Sequence, residues 1–368
     1  MFFYYFWALF WSIVETIENI NNIIINKMKA IALQFGKAMS AALFVLLLVV
    51  VGSKNALAQT LVATLQHDGE ITCFYGNSAL SEAYNAAEND DIITLSRGNF
   101  SLSSITKAIT LRGAGILTDT ILGSYATTIT SAITAEIDNN SASLTIEGIR
   151  FTNSFKYISL SNPRFIKCYF GTFNSNDANS TMSNAQFVNC RINEINNAGT
   201  DATVINSILW SCKCDFSMAY NSYINIGSSN YPTINAFNCI VKGGWYDNMW
   251  NVYMYQLNQN SLAINCIGIK GSLNNAIKQN CWLFDDYSSV FETFTGSNYD
   301  VYTEQLILKE EIANTCLGDD GKEVGIYGGN VPYNNRPNYM VIKRCNVANQ
   351  STIDGKLSVE IEVVTEEE

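Results

Sequence analysis

Three stretches of the chain read almost alike: FVNCRI at 187–192, AFNCIV at 236–241 and AINCIG at 263–268. Each sets an Asn-Cys pair behind an apolar residue. Aligning the chain on that Cys gives seven positions: Cys168, Cys190, Ser207, Ser222, Cys239, Cys266 and Cys281, with gaps of 22, 17, 15, 17, 27 and 15. Asn precedes six of them, Lys167 being the exception. The unit is apolar–Asn–Cys/Ser–x–apolar. Ser replaces Cys freely within it, which a metal-ligand or disulfide position does not allow. A recurrence of this kind marks a solenoid repeat.

Strand side chains alternate between faces, so the Cys or Ser and the apolar residue two later share a face. The apolar residue before the Asn cannot share it unless the chain bends. Asn tolerates left-handed backbone angles, so a bend at the Asn lets two short strands both point inward. Repeated about every 20 residues, this describes the coils of a parallel β-helix. Stacked Asn side chains are expected to bond one another in a ladder, with small Cys and Ser lining the inner corner. The 15-residue gaps are tight for a full coil.

The stretch ALSEAYNAAENDDIITLSRGNFSLSSITKAITLRGAGI, 79–116, resembles the opening of right-handed parallel β-helix proteins of the pectin-lyase-like class. Ser78 is placed to cap a helix whose face is Leu80, Ala83, Tyr84 and Ala87. That helix would cover the open edge of the first coil. Ile92–Leu95 and Ile109–Leu111 start the coils, and Leu144, Ile146, Ile149 and Phe151 continue them. The resemblance spans roughly residues 70–300 and implies an all-β, right-handed parallel β-helix solenoid with an N-terminal helical cap. It says little about function, since the class holds lyases, hydrolases, adhesins and non-catalytic binders.

The ends are of another kind. Residues 1–27 are dominated by Phe, Tyr, Ile, Asn and Lys, 17 of 27, all with A/T-rich codons. They read as upstream sequence translated ahead of the true start, Met28. Residues 28–58 then form a signal peptide: a basic start, the apolar run Ala41–Val51, and Ala56-Leu57-Ala58 before Gln59. The β-helix is expected over 70–305 and a C-terminal appendage over 306–368. In the appendage, 318–337 is a Gly- and Asn-rich loop, followed by two alternating strands, YMVIKRCNV and KLSVEIEVV. This ending is similar to that of secreted surface proteins of the Bacteroides group.

Past Ala58 the charge is 18 positive against 31 negative residues, or −13, which argues against a nucleic-acid partner. No second apolar span follows Val51, so the mature protein is expected not to span a membrane. The sole His, His67, is expected to be solvated. A His-dependent triad or multi-His zinc site is excluded by that count. Cys212 and Cys214 share a strand face without a second pair to complete a zinc site. The repeat cysteines read as buried free thiols, and Cys316 and Cys345 as the disulfide candidates.

Candidate catalytic residues are Asp285, Asp286 and Lys242, with Lys270 and Arg164 as further basic residues in repeat segments. Asp90-Asp91 reads as a solvated turn. The longest interruption of the repeat holds GGWYDNMWNVYMYQ, 243–256, and offers Trp245, Tyr246, Trp250 and Tyr253 as rings suited to stacking on sugars. Asp319, Asp320 and Glu323 are the residues a calcium ion would use, although they do not complete an EF-hand loop. No cofactor is expected otherwise. The expectation is a secreted or cell-surface protein that binds glycan or serves as a structural or adhesive module without catalysis. The alternative is a polysaccharide lyase or glycoside hydrolase acting on acidic polysaccharide.

Overall fold

The computed structural model describes residues 61–117, 126–137, 143–227, 231–244, 255–294 and 306–334. It also describes the backbone of the strand pairs 246–247 with 252–253 and 340–347 with 359–365. Residues 1–58, read above as upstream and signal sequence, lie outside the described residues. Among the described residues no helix is long and apolar enough to cross a membrane.

The chain folds as a right-handed parallel β-solenoid of about nine turns. Two long sheets form its walls. Sheet A has 12 strands, among them Arg164–Ile166, Gln186–Val188, Thr203–Ile205, Phe216–Tyr220, Ile234–Phe237, Leu262–Ile264 and Ile277–Gln279 in spatial order. Sheet B has 13, including Arg150–Ser161, Tyr169–Ser175, Arg191–Ile195, Ile208–Cys212, Tyr223–Ile226, Ile240–Lys242, Ile267–Ile269 and Trp282–Phe284. Each coil gives one strand to sheet A, bends at the motif Asn, gives one to sheet B and returns across a connecting segment. A 15-residue coil closes because Lys213–Asp215 alone joins Ile208–Cys212 to Phe216–Tyr220.

The bend at the Asn is present at all seven positions. Lys167 and Asn189, Asn206, Asn221, Asn238, Asn265 and Asn280 have φ between 42° and 54°. The backbone N–H before and after the Cys or Ser pairs with a neighbouring coil: Asn206 N donates to Tyr220 O at 3.0 Å and Ile208 N to Cys190 O at 2.8 Å. The N–H of the Cys or Ser itself instead finds the thiol or hydroxyl of the next coil. Cys190 N donates to Ser207 Oγ, Ser207 N to Ser222 Oγ, Ser222 N to Cys239 Sγ and Cys239 N to Cys266 Sγ, at 2.9–3.4 Å. An unpaired N–H in this buried corner would be costly. The position therefore takes a small side chain with an acceptor, which Cys and Ser supply and Ala does not.

In-register stacking brings like residues together inside. Phe151 lies on Phe170, Phe155 on Phe173 and Phe165 on Phe187, with centroids 5.0–5.3 Å apart. The N-terminal end is closed by helix α1, Ala79–Ala86, with Ala79, Leu80, Ala83 and Tyr84 buried. Ser78 holds the N-cap position but makes no side-chain cap bond; its hydroxyl donates to Glu82 Oε1 instead. Lys107 Nζ closes the other end of α1, donating to Tyr84 O and Ala87 O at 2.7 Å. The hairpin Val62–His67/Glu70–Tyr75 joins the first solenoid strand antiparallel.

The asparagine ladder is largely replaced by something else. Among the motif residues one amide rung forms, Asn265 Nδ2 to Asn238 Oδ1 at 3.3 Å. Three of the amides hold the segment 318–332. Asn238 Nδ2 donates to Asp319 Oδ1 at 2.7 Å, and Asn206 Nδ2 to Ile326 O and Gly328 O at 3.0 and 2.8 Å. In the orientation its surroundings favour, the Asn189 amide donates to Asn206 O and Pro332 O. A Cβ on Gly329 would sit 2.2 Å from Asn221 Nδ2, and φ there is +75°, so glycine is required for this approach.

The same return segment packs on the outside of sheet B. Ile208, Tyr223, Ile240 and Ile267 occupy the x position of the motif and face outward. They form a second apolar core with Val290, Phe291, Phe294, Ile312, Val324 and Ile326. Helix α2, Glu310–Thr315, belongs to that layer. The loop expected at 318–337 is therefore a docked strap over its described residues. The last strands, Met340–Val347 and Val359–Thr365, pair antiparallel.

Candidate functional site

The connecting segments that lead from sheet B back to sheet A form one turn face. Along it the segments at 196–202, 213–215 and 231–233 bound an open cleft of about 590 Å³, lined by Asn196, Asn197, Lys213, Cys214, Tyr231 and Asn258 among others. Gly199 makes the floor possible: φ is +73° and a Cβ would lie 2.2 Å from Met182 O. Asp215 Oδ1 accepts Thr233 N at 2.7 Å and ties two segments together. Glu194 accepts from Lys213 Nζ and Asn196 Nδ2, both at 2.9 Å. These bonds, Lys213 first, hold the Glu194 carboxyl below the usual carboxylate range. Tyr231 is 45% exposed and offers a ring to the cleft.

Cys214 reaches the cleft as a neutral thiol. Its bond with Cys212, then burial, pushes it well above the ordinary range, so it supplies no nucleophile. The cysteines with described side chains are free, as read from the repeat. Cys316 is a buried thiol pushed up to about 11 by burial, while the side chain of Cys345 lies outside the described residues.

The aromatic insertion leaves the solenoid at Gly244 and rejoins at Tyr255, whose carbonyl accepts Gly244 N at 3.1 Å. Within it Tyr246 pairs with Tyr253 and Asp247 with Val252 in a short antiparallel ladder. Trp245 and Trp250 and the side chains of Tyr246 and Tyr253 lie outside the described residues. Gly244 and Tyr255, between which the insertion lies, belong to a sheet-B to sheet-A connection like those that bound the cleft, and Asn258, just beyond it, lines the cleft.

Two basic candidates come together at the foot of this insertion. Lys242 ends the strand Ile240–Lys242, and Lys270 follows Ile267–Ile269 in the next coil. Their Nζ atoms lie 5.8 and 5.1 Å from the centroid of the Tyr287 ring. Burial, then the Lys270 charge, brings the Lys242 amine down to about 8. Arg164 stands on sheet A, exposed and apart from them. Asp285 is exposed just after the last sheet-B strand. Asp286 is a turn former: it accepts from Ser288 Oγ and Ser289 N at 2.6 and 2.8 Å, and these bonds lower its carboxyl.

Other expectations change. His67 is not simply solvated: Nδ1 lies 2.9 Å from Asp91 Oδ1, and this bond raises the imidazole above its ordinary value. Asp91 is buried beneath it and also accepts Glu88 N, so of the Asp90-Asp91 pair only Asp90 is exposed. Of the acids a calcium ion would use, Asp319 accepts from Asn238, Asp320 accepts Lys322 N, and burial raises Glu323. Among the described residues no group of three His, Cys, Asp or Glu side chains is placed to hold a metal ion.

The cleft was not legible in the repeat. Its lining comes from non-repeating connections, and only the exposed Tyr231 and the Asn pairs mark it. Compared with known families and with curated proteins, the chain matches no family model and no individual protein.

Proposed function

We propose that this protein is an exported, non-catalytic glycan-binding β-helix of the pectin-lyase-like class, working at the cell surface or outside the cell. The observation that carries the reading is the polar cleft on the turn face. Its amides and the Lys213–Glu194 pair suit sugar hydroxyls, and Tyr231 gives a ring face for an apolar sugar face. The aromatic insertion lies in the same kind of connection and would lengthen the binding surface. The signal-like segment 28–58 and the opening at 79–116 support the export and class assignments.

A polysaccharide lyase is the second reading, favoured by one observation. An amine brought down to about 8, as at Lys242, is partly unprotonated near neutral pH and can act as a base. A glycan array followed by product analysis of every hit separates the two. Binding without chain shortening or unsaturated products is expected. Tyr231→Ala should weaken binding about tenfold, the scale of one aromatic contact. Unsaturated products that vanish in Lys242→Met would replace the first reading with the second. No binding to any glycan would remove both.

A further inference from the structure

We infer that Lys242 and Lys270 form a seat for an oxyanion, a carboxylate, sulfate ester or phosphate carried by the ligand, at the foot of the aromatic insertion. The seat stands on its own geometry; only the glycan that would carry the anion rests on the reading above.

Three separate elements build it. Lys242 ends a sheet-B strand, Lys270 lies one coil on, and Tyr287 comes from the return segment. Both ammonium groups lie within 6 Å of the one ring centroid. Both lysines are half-buried. Lys270 has φ +54°, a conformation that side chains other than Asn and Asp seldom adopt. The fold thus holds two like charges together, one of them on an unfavourable backbone.

Among the described residues neither the Lys242 nor the Lys270 ammonium has a carboxylate within 4.0 Å or a hydrogen-bond acceptor. Asp286 serves its own turn. The Tyr287 ring attracts the cations, but a ring face does not satisfy the three donors of each ammonium. A bound oxyanion would accept from both amines and remove their repulsion. It would also return Lys242 to its charged form, so an occupied seat and a lysine base exclude each other.

The test titrates the purified protein and the double variant Lys242→Met/Lys270→Met with sodium sulfate and with phosphate, by calorimetry at constant ionic strength. Neutral, uronate-bearing and sulfated oligosaccharides of equal length follow. Sulfate or phosphate should bind the parent and bind the double variant at least about tenfold more weakly, as expected when charge-assisted bonds are lost. The uronate or sulfated oligosaccharide, whichever carries the right anion, should lose its advantage over the neutral one in the variant. Equal anion binding by parent and variant overturns the seat. Anion binding that depends on the lysines, with no oligosaccharide bound, keeps the seat and removes the glycan reading. If the double variant does not fold, acetylation of the parent is mapped with and without sulfate. Protection of Lys242 supports the seat, and equal modification overturns it.

Discussion

The outer face of sheet B has two halves that share one backbone and differ in what stands on it. In the early coils the outward column is Arg150, Tyr169 and Arg191. The two guanidinium groups lie 4.9 and 5.7 Å from the Tyr169 ring centroid, and Asn193 Nδ2 donates to the Tyr169 hydroxyl at 2.6 Å. In the later coils the same column is Ile208, Tyr223, Ile240 and Ile267, sealed beneath the return segment. The inward side is buried and apolar in both halves. Apolar outward residues thus mark where the return segment packs its own apolar side chains, and a cation–aromatic ladder, with Arg191 itself buried, stands on the coils before it.

The most severe way to break this contrast is to give the covered half the polarity of the other. Ile240 is 1% exposed, and a Cβ on Gly325 would sit 2.5 Å from its Cδ1. Ile240→Asp buries an unpaired charge under the strap and should cost at least about 4 kcal/mol. Denaturant unfolding would show it, together with new proteolytic cleavage between 287 and 333. A variant that keeps its midpoint and its resistance would mean that the strap is not needed to seal this face.

How much of this was legible follows from the same contrast. The local events of the corner could be read: left-handed Asn, small Cys or Ser, an apolar residue on each side. They depend only on neighbours in sequence and on alternation. The strap could not be read, because Ile326 and Gly328 meet Asn206 across about 120 residues of chain, and no local rule links them. The signal was nevertheless present in the x column, which turns from Tyr169 and Arg191 to Ile208, Tyr223, Ile240 and Ile267. Of the basic candidates, Lys242 and Lys270 meet because coil register sets Lys242 beside Ile269, and Arg164 falls on the other sheet. Register of that kind needs the coil boundaries, which uneven gaps of 15 to 27 conceal.

A gentler test asks whether the asparagines serve the bend or the strap. Glycine adopts the left-handed angle without strain, so Asn→Gly removes the amide and keeps the corner. Asn206→Gly strands the buried Ile326 and Gly328 carbonyls and should cost about 1–3 kcal/mol. Asn280 has φ 52° in the last coil but is exposed, and Asn280→Gly should change stability by less than about 0.5 kcal/mol. Equal costs at the two sites, measured by urea unfolding, would assign the asparagines to the bend alone.

The smallest effect belongs to the cation–aromatic half. Tyr169 is half-buried and contributes through two cation–π contacts and one hydroxyl bond. Tyr169→Leu keeps apolar bulk and removes all three, for a loss of about 1–2 kcal/mol. Tyr169→Phe keeps the ring and should recover more than half of that loss, because the ring and not the hydroxyl holds the guanidinium groups. Neither variant should alter proteolysis between 287 and 333, since the apolar core beneath the strap is built on the later coils. If Tyr169→Leu does release the strap, the ladder and the covered half form one cooperative unit, and the outward column cannot be divided at Ile208.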